Sequence, residues 1–341
     1  VDALEKEGFA VLGPTQAAAR LEGSKIFAKD CMAQWSIPTA LFKIGHSYGE
    51  ALSLLKAWEV EAKGIVIKAD GLAAGKGVVV THDRAEAERT LYDFMYNPGS
   101  AIKSSRVLFE EKITGKEVSA FALCDGKTFI PLGYACDYKR VGDGDQGPNT
   151  GGMGGYAPKN WPSETARQFI NHNIFARVVA GMQRQGTPFK GILFAGLMVN
   201  GDDVKVIEFN TRFGDPEAQI LLPLMQGDVV ALFAAAAAGS LGGLSAPAMS
   251  ENTAVHLVMA SEGYPDTQGG GLRIGEKIEF PAALLGACAN DNTLLFISGA
   301  AKQNNQWVND GGRVLGVTAI GKDVEGARIL AYKAIGSVHF Q

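Results

Sequence analysis

The chain has 341 residues, 46% hydrophobic and 20% charged, enough apolar content to bury two or three cores and too much for a disordered segment. Its 32 Lys and Arg against 36 Asp and Glu give a formal charge of −4, which argues against a dedicated nucleic-acid binder with a basic face. No apolar run reaches the roughly 20 residues of a membrane helix, no signal-peptide pattern opens the chain, and Cys31, Cys124, Cys136 and Cys288 show no CxxC or Cys/His ligand spacing, so a cytoplasmic, reduced protein is expected.

Val1–Pro14 reads as the end of a helix, stopped by Gly8, followed by a short strand, Phe9–Leu12. Such a pair cannot cover its own apolar faces, so the chain is expected to begin inside an amino-terminal α/β domain. Thr15 is expected to cap a helix reaching about Trp35, with Ala28, Cys31, Met32 and Trp35 on one face and Pro38 beyond its end. β-Branched runs dominate Ile65–Ala120, broken by a helix near Ala85–Met95. Val118–Cys124, Asp125-Gly126 and Lys127–Leu132 predict a hairpin, because Asp-Gly suits a type I′ turn. Gly133–Pro158 predicts a long loop, with seven glycines between Gly142 and Gly155. Loops that long are usually functional. A helix over about Ser163–Gln185, strands at Gly191–Val199 and Val204–Phe209, and a helix over Pro216–Ala238 capped by Gly239 come next. Gly239–Ser250 reads as a linker. Strands at Ala254–Ala260, Leu294–Ser298 and Arg313–Ala319 and a helix near Glu325–Gly336 close the chain.

The 43 glycines direct attention to the loops. Ile65–Lys68 is a strand ending in a lysine, followed by Ala69-Asp70-Gly71-Leu72-Ala73-Ala74-Gly75-Lys76-Gly77 and a second strand, Val78–Val80. The spacing is not that of a P-loop, and no helix follows to supply a dipole. What remains is a flap whose backbone N–H groups close over phosphates, with Lys68 and Lys76 as charges. A surface hairpin with solvated lysines fits the same pattern. In Val204–Glu217, Glu208 and Asn210 leave one face of a strand. A carboxylate beside an amide oxygen is a hard donor set for Mg²⁺. Arg212 would continue that face with a fork for a phosphoryl group, and Asp215 and Glu217 flank Pro216. An edge strand with a polar outer face is the alternative.

Asp137-Tyr138-Lys139-Arg140 and the run Gly147-Pro148-Asn149-Thr150-Gly151-Gly152-Met153-Gly154 form a third candidate, a backbone that can approach a ligand closely. A fourth is Phe109-Glu110-Glu111-Lys112-Ile113, with Glu117 beyond it, a strand end able to present backbone groups to a base. No Ser/His/Asp or Cys/His nucleophile set emerges. His256, on an apolar strand, reads as a packed core residue, and the cysteines read as core thiols.

Together with Gly13-Pro14-Thr15, Leu21-Glu22-Gly23-Ser24-Lys25, Ile37-Pro38-Thr39, Tyr264-Pro265 and Gly311-Gly312-Arg313-Val314-Leu315, these motifs resemble the ATP-grasp enzymes and, among them, the phosphoribosylamine–glycine ligases. The resemblance runs over nearly the whole chain. It implies an α/β (α+β) chain: a remnant of an amino-terminal α/β domain over residues 1–20, an ATP-grasp domain over 21–238 with a flap subdomain at about 39–113, and a small carboxy-terminal α+β domain over 251–341. It implies ATP and Mg²⁺ (or Mn²⁺) as cofactors, with glycine and 5-phosphoribosylamine as substrates. No nucleic acid or membrane partner is implied, and a monomer or weak homo-oligomer is expected. By the same resemblance Lys25, Lys68, Gly71, Gly75, Lys76 and Gly77 face the phosphates. Glu110, Glu111 and Ile113 hold adenine, Glu117 the ribose, and Glu208 with Asn210 the metal. Arg212, Lys139 and Asp215 are expected to be catalytic. Asp137, Asn149, Thr150, Gly151, Gly152, Met153, Pro216 and Glu217 are expected to touch the acceptor substrates. In that family an amino-terminal domain precedes the position of Val1 and helps form the amine pocket, so turnover is expected to depend on it. Another ATP-grasp carboxylate–amine ligase, or a nucleotide-binding module without turnover, are the competing expectations.

Overall fold

The computed structural model describes residues 1–72, 77–144, 146–266, 270–279 and 292–340. Helices and strands are mixed along it, and the chain divides into two units. The first comprises Val1–Leu132, Pro162–Phe213 and Asp228–Ala246, the second Gly133–Trp161, Gly214–Gly227 and Pro247–Gln341.

In the first unit a four-stranded antiparallel sheet runs in the order Phe42–Gly45, Val107–Glu110, Ile65–Ala69, Val78–Thr81. Ile65, Ile67, Ala69 and Phe109 pack with Ala51, Leu55, Leu91 and Phe94 of the helices Tyr48–Lys56 and Arg84–Met95. Strand alternation then sends Lys68 to the other face. Glu110 shares that face, because it sits opposite Val66 in the ladder. Ile65–Ala69 and Val78–Thr81 pair directly, the strand–loop–strand order expected; Gly75 and Lys76 lie outside the described residues. A second sheet of this unit joins Asp203–Asn210, Lys190–Asn200 and Lys116–Asp125, all antiparallel. Phe121 packs on Phe194 and Phe213 beneath it.

In the second unit Gly154–Tyr156, Thr253–Ala260, Arg313–Gly321 and Thr293–Ile297 form an antiparallel sheet. Ala327 and Ala331 of the helix Val324–Ile335 cover one face, against Val255 and Ala319. The short helix Glu217–Leu221 packs against Thr253–Ala260.

Several expected elements differ. Phe9–Leu12 forms no ladder with any described strand, and Phe9 is exposed. The helix expected over Thr15–Trp35 is two helices, Arg20–Gly23 and Lys25–Gln34. Ser24 breaks it with an extended backbone (φ −139°, ψ 114°) and caps the second piece by accepting from Phe27 N–H. The Gly133–Pro158 loop is largely strand: Phe129–Asp137 extends into it, Arg140–Gly142 pairs with Gln146–Asn149, and Gly154–Tyr156 joins the second unit's sheet. The helix expected over Pro216–Ala238 stops at Leu221. A 3₁₀ turn at Leu222–Leu224 and a two-residue strand, Met225–Gln226, precede a fresh helix, Val229–Ala237, capped by Asp228. Pro223 and Gly227 (φ +93°) account for the interruption. The Ser163–Gln185 helix is continuous but passes through a π turn at Asn171–Phe175.

Candidate active site

Buried charge defines the site of the first unit. The Lys68 ammonium, 5% exposed, lies 2.7 Å from Glu110 Oε1. Lys29 reaches the other oxygen of the same carboxylate at 3.0 Å. Lys29 also donates to Thr39 Oγ1 at 2.5 Å, and that hydroxyl donates to Val206 O at 2.6 Å. Burial pulls the Lys29 ammonium down to about 8, against the opposing pull of Glu110. Lys25 opens its helix and donates to Gly71 O at 2.8 Å. Burial lowers its pKa, while the charge of Glu208 raises it and Lys68 lowers it further. Lys25 therefore shares a field with Lys68, Glu110 and Glu208.

Glu208 and Asn210 stand two apart on Asp203–Asn210, on one face and half-buried. Among the described residues no ion pair engages Glu208, and no group of three or more His, Cys, Asp or Glu side chains could hold a metal. One carboxylate with one amide oxygen is an open hard donor set, which leaves positions for phosphate oxygens and water. The residues present fit a divalent cation of that kind.

Other expected residues have different surroundings. The Glu110 carboxylate, expected at adenine, is buried and taken up by the two lysines. Glu111 accepts from Leu41 N–H at 3.0 Å and faces Lys205 at 3.3 Å. Ile113 lines a depression of about 240 Å³ with Lys112, Met198 and Lys205, and Glu117 sits opposite Met198 in the ladder. Arg212 does not continue the metal face, because the strand ends at Asn210. Its guanidinium turns to Glu22, 3.1 Å away. Gly71 has φ +102°, and Gly77 O accepts from Ala69 N–H at 2.9 Å.

Residues missed from sequence complete this cluster. Asp70 Oδ1 accepts from Ser24 Oγ at 2.8 Å and from Ile26 N–H at 3.2 Å, while Oδ2 meets Arg106 at 2.6 Å. Asp70 thus ties the root of the flap to the helix that carries Lys25. Its signal was its place directly after the Lys68 strand. Lys29 had no signal, since a lysine in an amphipathic helix normally reads as solvated.

The second unit builds its cluster from backbone. Lys139 O accepts from Thr150 N–H at 2.7 Å and from Thr150 Oγ1 at 2.8 Å. Gly151 N–H donates to the Tyr264 hydroxyl at 3.0 Å. Arg313 Nη1 donates to Gly151 O at 2.7 Å and Asp215 O at 2.8 Å, and lies 3.4 Å from Asp215 Oδ1. Gln219 Nε2 donates to Asp215 Oδ1 at 2.9 Å. Asn149 pairs with Arg140 in the small hairpin, Met153 N–H donates to Tyr138 O, and Asp137 faces Gly155 across a ladder. Glu217, beside Pro216, is buried at the start of its helix, close under Gly214. Asp137, Lys139, Asn149–Met153 and Asp215–Glu217 therefore all belong to the second unit.

His256 is packed in this unit's core, as expected. Thr318 Oγ1 donates to Gln219 O at 2.8 Å, so it accepts from His256 Nδ1–H at 2.8 Å and fixes that tautomer. Gly316 lies against the ring, where a Cβ would stand 2.3 Å from Nε2. Burial pushes the imidazole down to about 4. A pocket of about 420 Å³ opens beside it, with Asp215 and Arg313 at one side and Leu222, Pro223 and Phe296 as apolar wall. Cys31, Cys124 and Cys136 are buried, as core thiols would be; Cys288 lies outside the described residues.

Comparison with known proteins adds the lineage. The family model described as phosphoribosylglycinamide synthetase, ATP-grasp (A) domain, matches residues 23–218, and the C domain of the same synthetase matches residues 254–341. The chain belongs to the phosphoribosylamine–glycine ligase family. A ligase of that name from Brucella melitensis is 43% identical over 338 residues, covering 98% of this chain and 75% of the relative. One from Rhodopirellula baltica is 39% identical, over 100% of this chain and 77% of the relative. The crystal structure of the Thermotoga maritima phosphoribosylamine–glycine ligase matches with TM-score 0.85 at 34% identity, over 97% of this chain and 79% of that one. The biotin carboxylase domain of the Hydrogenobacter thermophilus 2-oxoglutarate carboxylase matches in fold alone, with TM-score 0.71 at 16% identity, over 100% of this chain and 71% of that one. The fold is therefore ATP-grasp and the chain is an ATP-dependent ligase. Among the described residues no helix is long and apolar enough to cross a membrane.

Proposed function

We propose that the first unit holds the nucleotide and its cation, and that the second holds the groups to be joined. The reaction is that of the family: ATP drives the joining of glycine to 5-phosphoribosylamine, giving glycinamide ribonucleotide, ADP and phosphate in purine biosynthesis. Glycine's carboxylate is a poor acyl donor. Its oxygen attacks the γ-phosphorus of ATP, ADP leaves, and glycyl phosphate forms. The amine of phosphoribosylamine then attacks the carbonyl carbon, phosphate leaves with the bonding pair, and the amine loses a proton. No covalent enzyme nucleophile is needed, so positioning and charge neutralisation are the protein's main tasks.

Lys25, Lys68 and the Gly71–Gly77 segment take the phosphates in this reading, and Arg212 takes the transferred phosphoryl group. Glu110–Ile113 receives the base and Glu117 the ribose. Glu208 and Asn210 would hold Mg²⁺ or Mn²⁺, which supplies charge neutralisation when bound. Lys139, Asp137, the loop Asn149–Met153, Asp215, Pro216 and Glu217 hold glycine and the amine. The domain division at 21–238 and 251–341, a cytoplasmic location, a monomeric or weakly associating chain and the absence of nucleic-acid or membrane partners belong to the same reading.

The observation that carries it is Glu208, beside Asn210 on one strand face, in the field of Lys25 and in no ion pair with any described residue. Sustained ADP release should require glycine and phosphoribosylamine together and should not respond to bicarbonate or other amino acids. Release with another acceptor would instead mark a different carboxylate–amine ligase. Calorimetry on Glu208→Gln should show weaker metal-dependent nucleotide binding, and wild-type affinity would remove the metal assignment.

A further inference from the structure

We infer that Glu22 is a positioning residue that aims the Arg212 guanidinium; this rests on the phosphoryl role proposed above for Arg212. Glu22 Oε2 accepts from Thr211 N–H at 2.9 Å and from Thr211 Oγ1 at 3.0 Å. Oε1 accepts from Arg212 Nε at 3.1 Å and lies 3.1 Å from Nη2. One carboxylate thus holds both the backbone of the turn and the side chain that leaves it. Arg212 Nη1 donates to Phe213 O at 3.0 Å, so each of the three guanidinium nitrogens has one contact from within the chain and two N–H bonds are left over.

The arrangement is poorly explained as a stability device. The Arg212 side chain is 61% exposed, and exposed ion pairs contribute little to folding, about 0–1 kcal/mol. A guanidinium gripped at Nε and Nη2 has lost its rotational freedom, however, and its remaining N–H bonds point in one set direction. Glu22 itself is 17% exposed and is anchored through its buried neighbour Leu21. It also stands three residues before Lys25. One short segment therefore presents a phosphate-side lysine and sets the direction of the arginine that follows the Glu208/Asn210 strand. An arginine that neutralises charge only as the phosphoryl group transfers must be aimed beforehand, and misplacement by about 1 Å can cost about 100-fold in rate.

The test compares Glu22→Gln, Arg212→Lys and the double variant in steady-state turnover, with melting curves to verify folding. Glu22→Gln should lower kcat about tenfold or more while KM for ATP stays within about threefold, the pattern of an interaction made mainly in the transition state. In the Arg212→Lys background the same change should alter kcat less than about threefold, because no fork is left to aim. Affinity for MgADP with aluminium fluoride, relative to MgADP alone, should fall in parallel in Glu22→Gln, a readout that needs no turnover and that a purely structural clamp would not move. Should Glu22→Gln not fold, Glu22→Asp, which keeps the charge but shortens the reach, should show the same losses. If Arg212→Lys retains wild-type turnover and wild-type preference for the fluoride complex, the phosphoryl role of Arg212 falls and the proposal with it. If Arg212→Lys is impaired but Glu22→Gln is not, or if the two losses simply multiply, only the positioning role of Glu22 is overturned.

Discussion

The two clusters solve the problem of holding charged ligands by opposite means. In the first unit the work is done by side chains against side chains: Lys29 and Lys68 on Glu110, Arg106 on Asp70, Arg212 on Glu22. In the second unit one arginine, Arg313, gathers the carbonyls of Gly151 and Asp215, and the loop is shaped by backbone. The first design depends on pairing, and at Glu110 it concentrates that charge where water is scarce. The second depends on conformations that only small residues adopt.

The largest expected effect follows from the pairing in the first unit. Glu110→Gln keeps the shape but leaves two buried ammonium groups facing a neutral amide. Breaking a buried ion pair from one side costs about 3–5 kcal/mol, which urea unfolding at pH 7 should show. Lys29→Met, which removes the third charge and leaves Glu110 matched with Lys68 alone, should cost far less. Equal losses in the two variants would mean that the triad is not organised around Glu110.

How far this was visible in the sequence depends on distance along the chain. Lys68, Glu208 and Asn210 were legible because strand alternation is local, and their faces follow from position alone. The hairpin at Asp125-Gly126 was legible from that local pair, but the turn is not the type I′ expected: Asp125 ends its strand and its N–H donates to Thr128 O, and Gly126, at φ +92°, is the first central residue. The partners were not legible. Lys29 and Glu110 are 81 residues apart, and Glu22 and Arg212 are 190 apart. No periodicity connects them. Phe9–Leu12 was misread because alternation reports a candidate strand and not a neighbour to pair with. The Ala-rich run after Leu224 masked the interruption at Pro223 and Gly227. The hairpin Ala300–Gln303 to Gln306–Asn309 was overlooked although Asn304 and Asn305, at φ +47° and +66°, are the residues such a turn favours.

His256, buried among the described residues of the second unit, sharpens the contrast through pH. Its folded pKa, about 4, lies below an unfolded value of about 6.5. Between those values the unfolded chain binds more protons, so the contribution to stability is complete above about pH 6.5 and is lost as pH falls toward 4. Going from pH 7 to pH 5 should cost about 2 kcal/mol through this residue. His256→Gln should remove that part of the slope, measured as the difference between wild type and variant in urea at the two pH values. An unchanged slope would mean that the imidazole is not held neutral in the folded protein.

The smallest effect separates backbone from side chain inside the glycine-rich loop itself. Gly152 has φ +111°, and a Cβ there would lie 2.7 Å from Pro216 Cδ and 3.2 Å from Asp215 O. Neither neighbour is the free end of a flexible chain, so Gly152→Ala must strain its own backbone and displace the Asp215–Pro216 turn. A residue held in such a region costs about 1–2 kcal/mol. Gly151 differs, because its φ is not in the left-handed region and a Cβ would meet the Arg313 guanidinium at 3.0 Å. That group can move aside at the expense of its contact with Gly151 O. Gly151→Ala should therefore change stability by no more than about 0.5 kcal/mol. Urea unfolding of the two variants side by side measures the difference. A cost at Gly151 equal to that at Gly152 would show that Arg313 is as rigid as the backbone it gathers, and the distinction between a unit held by side chains and one held by backbone would then fail at this arginine.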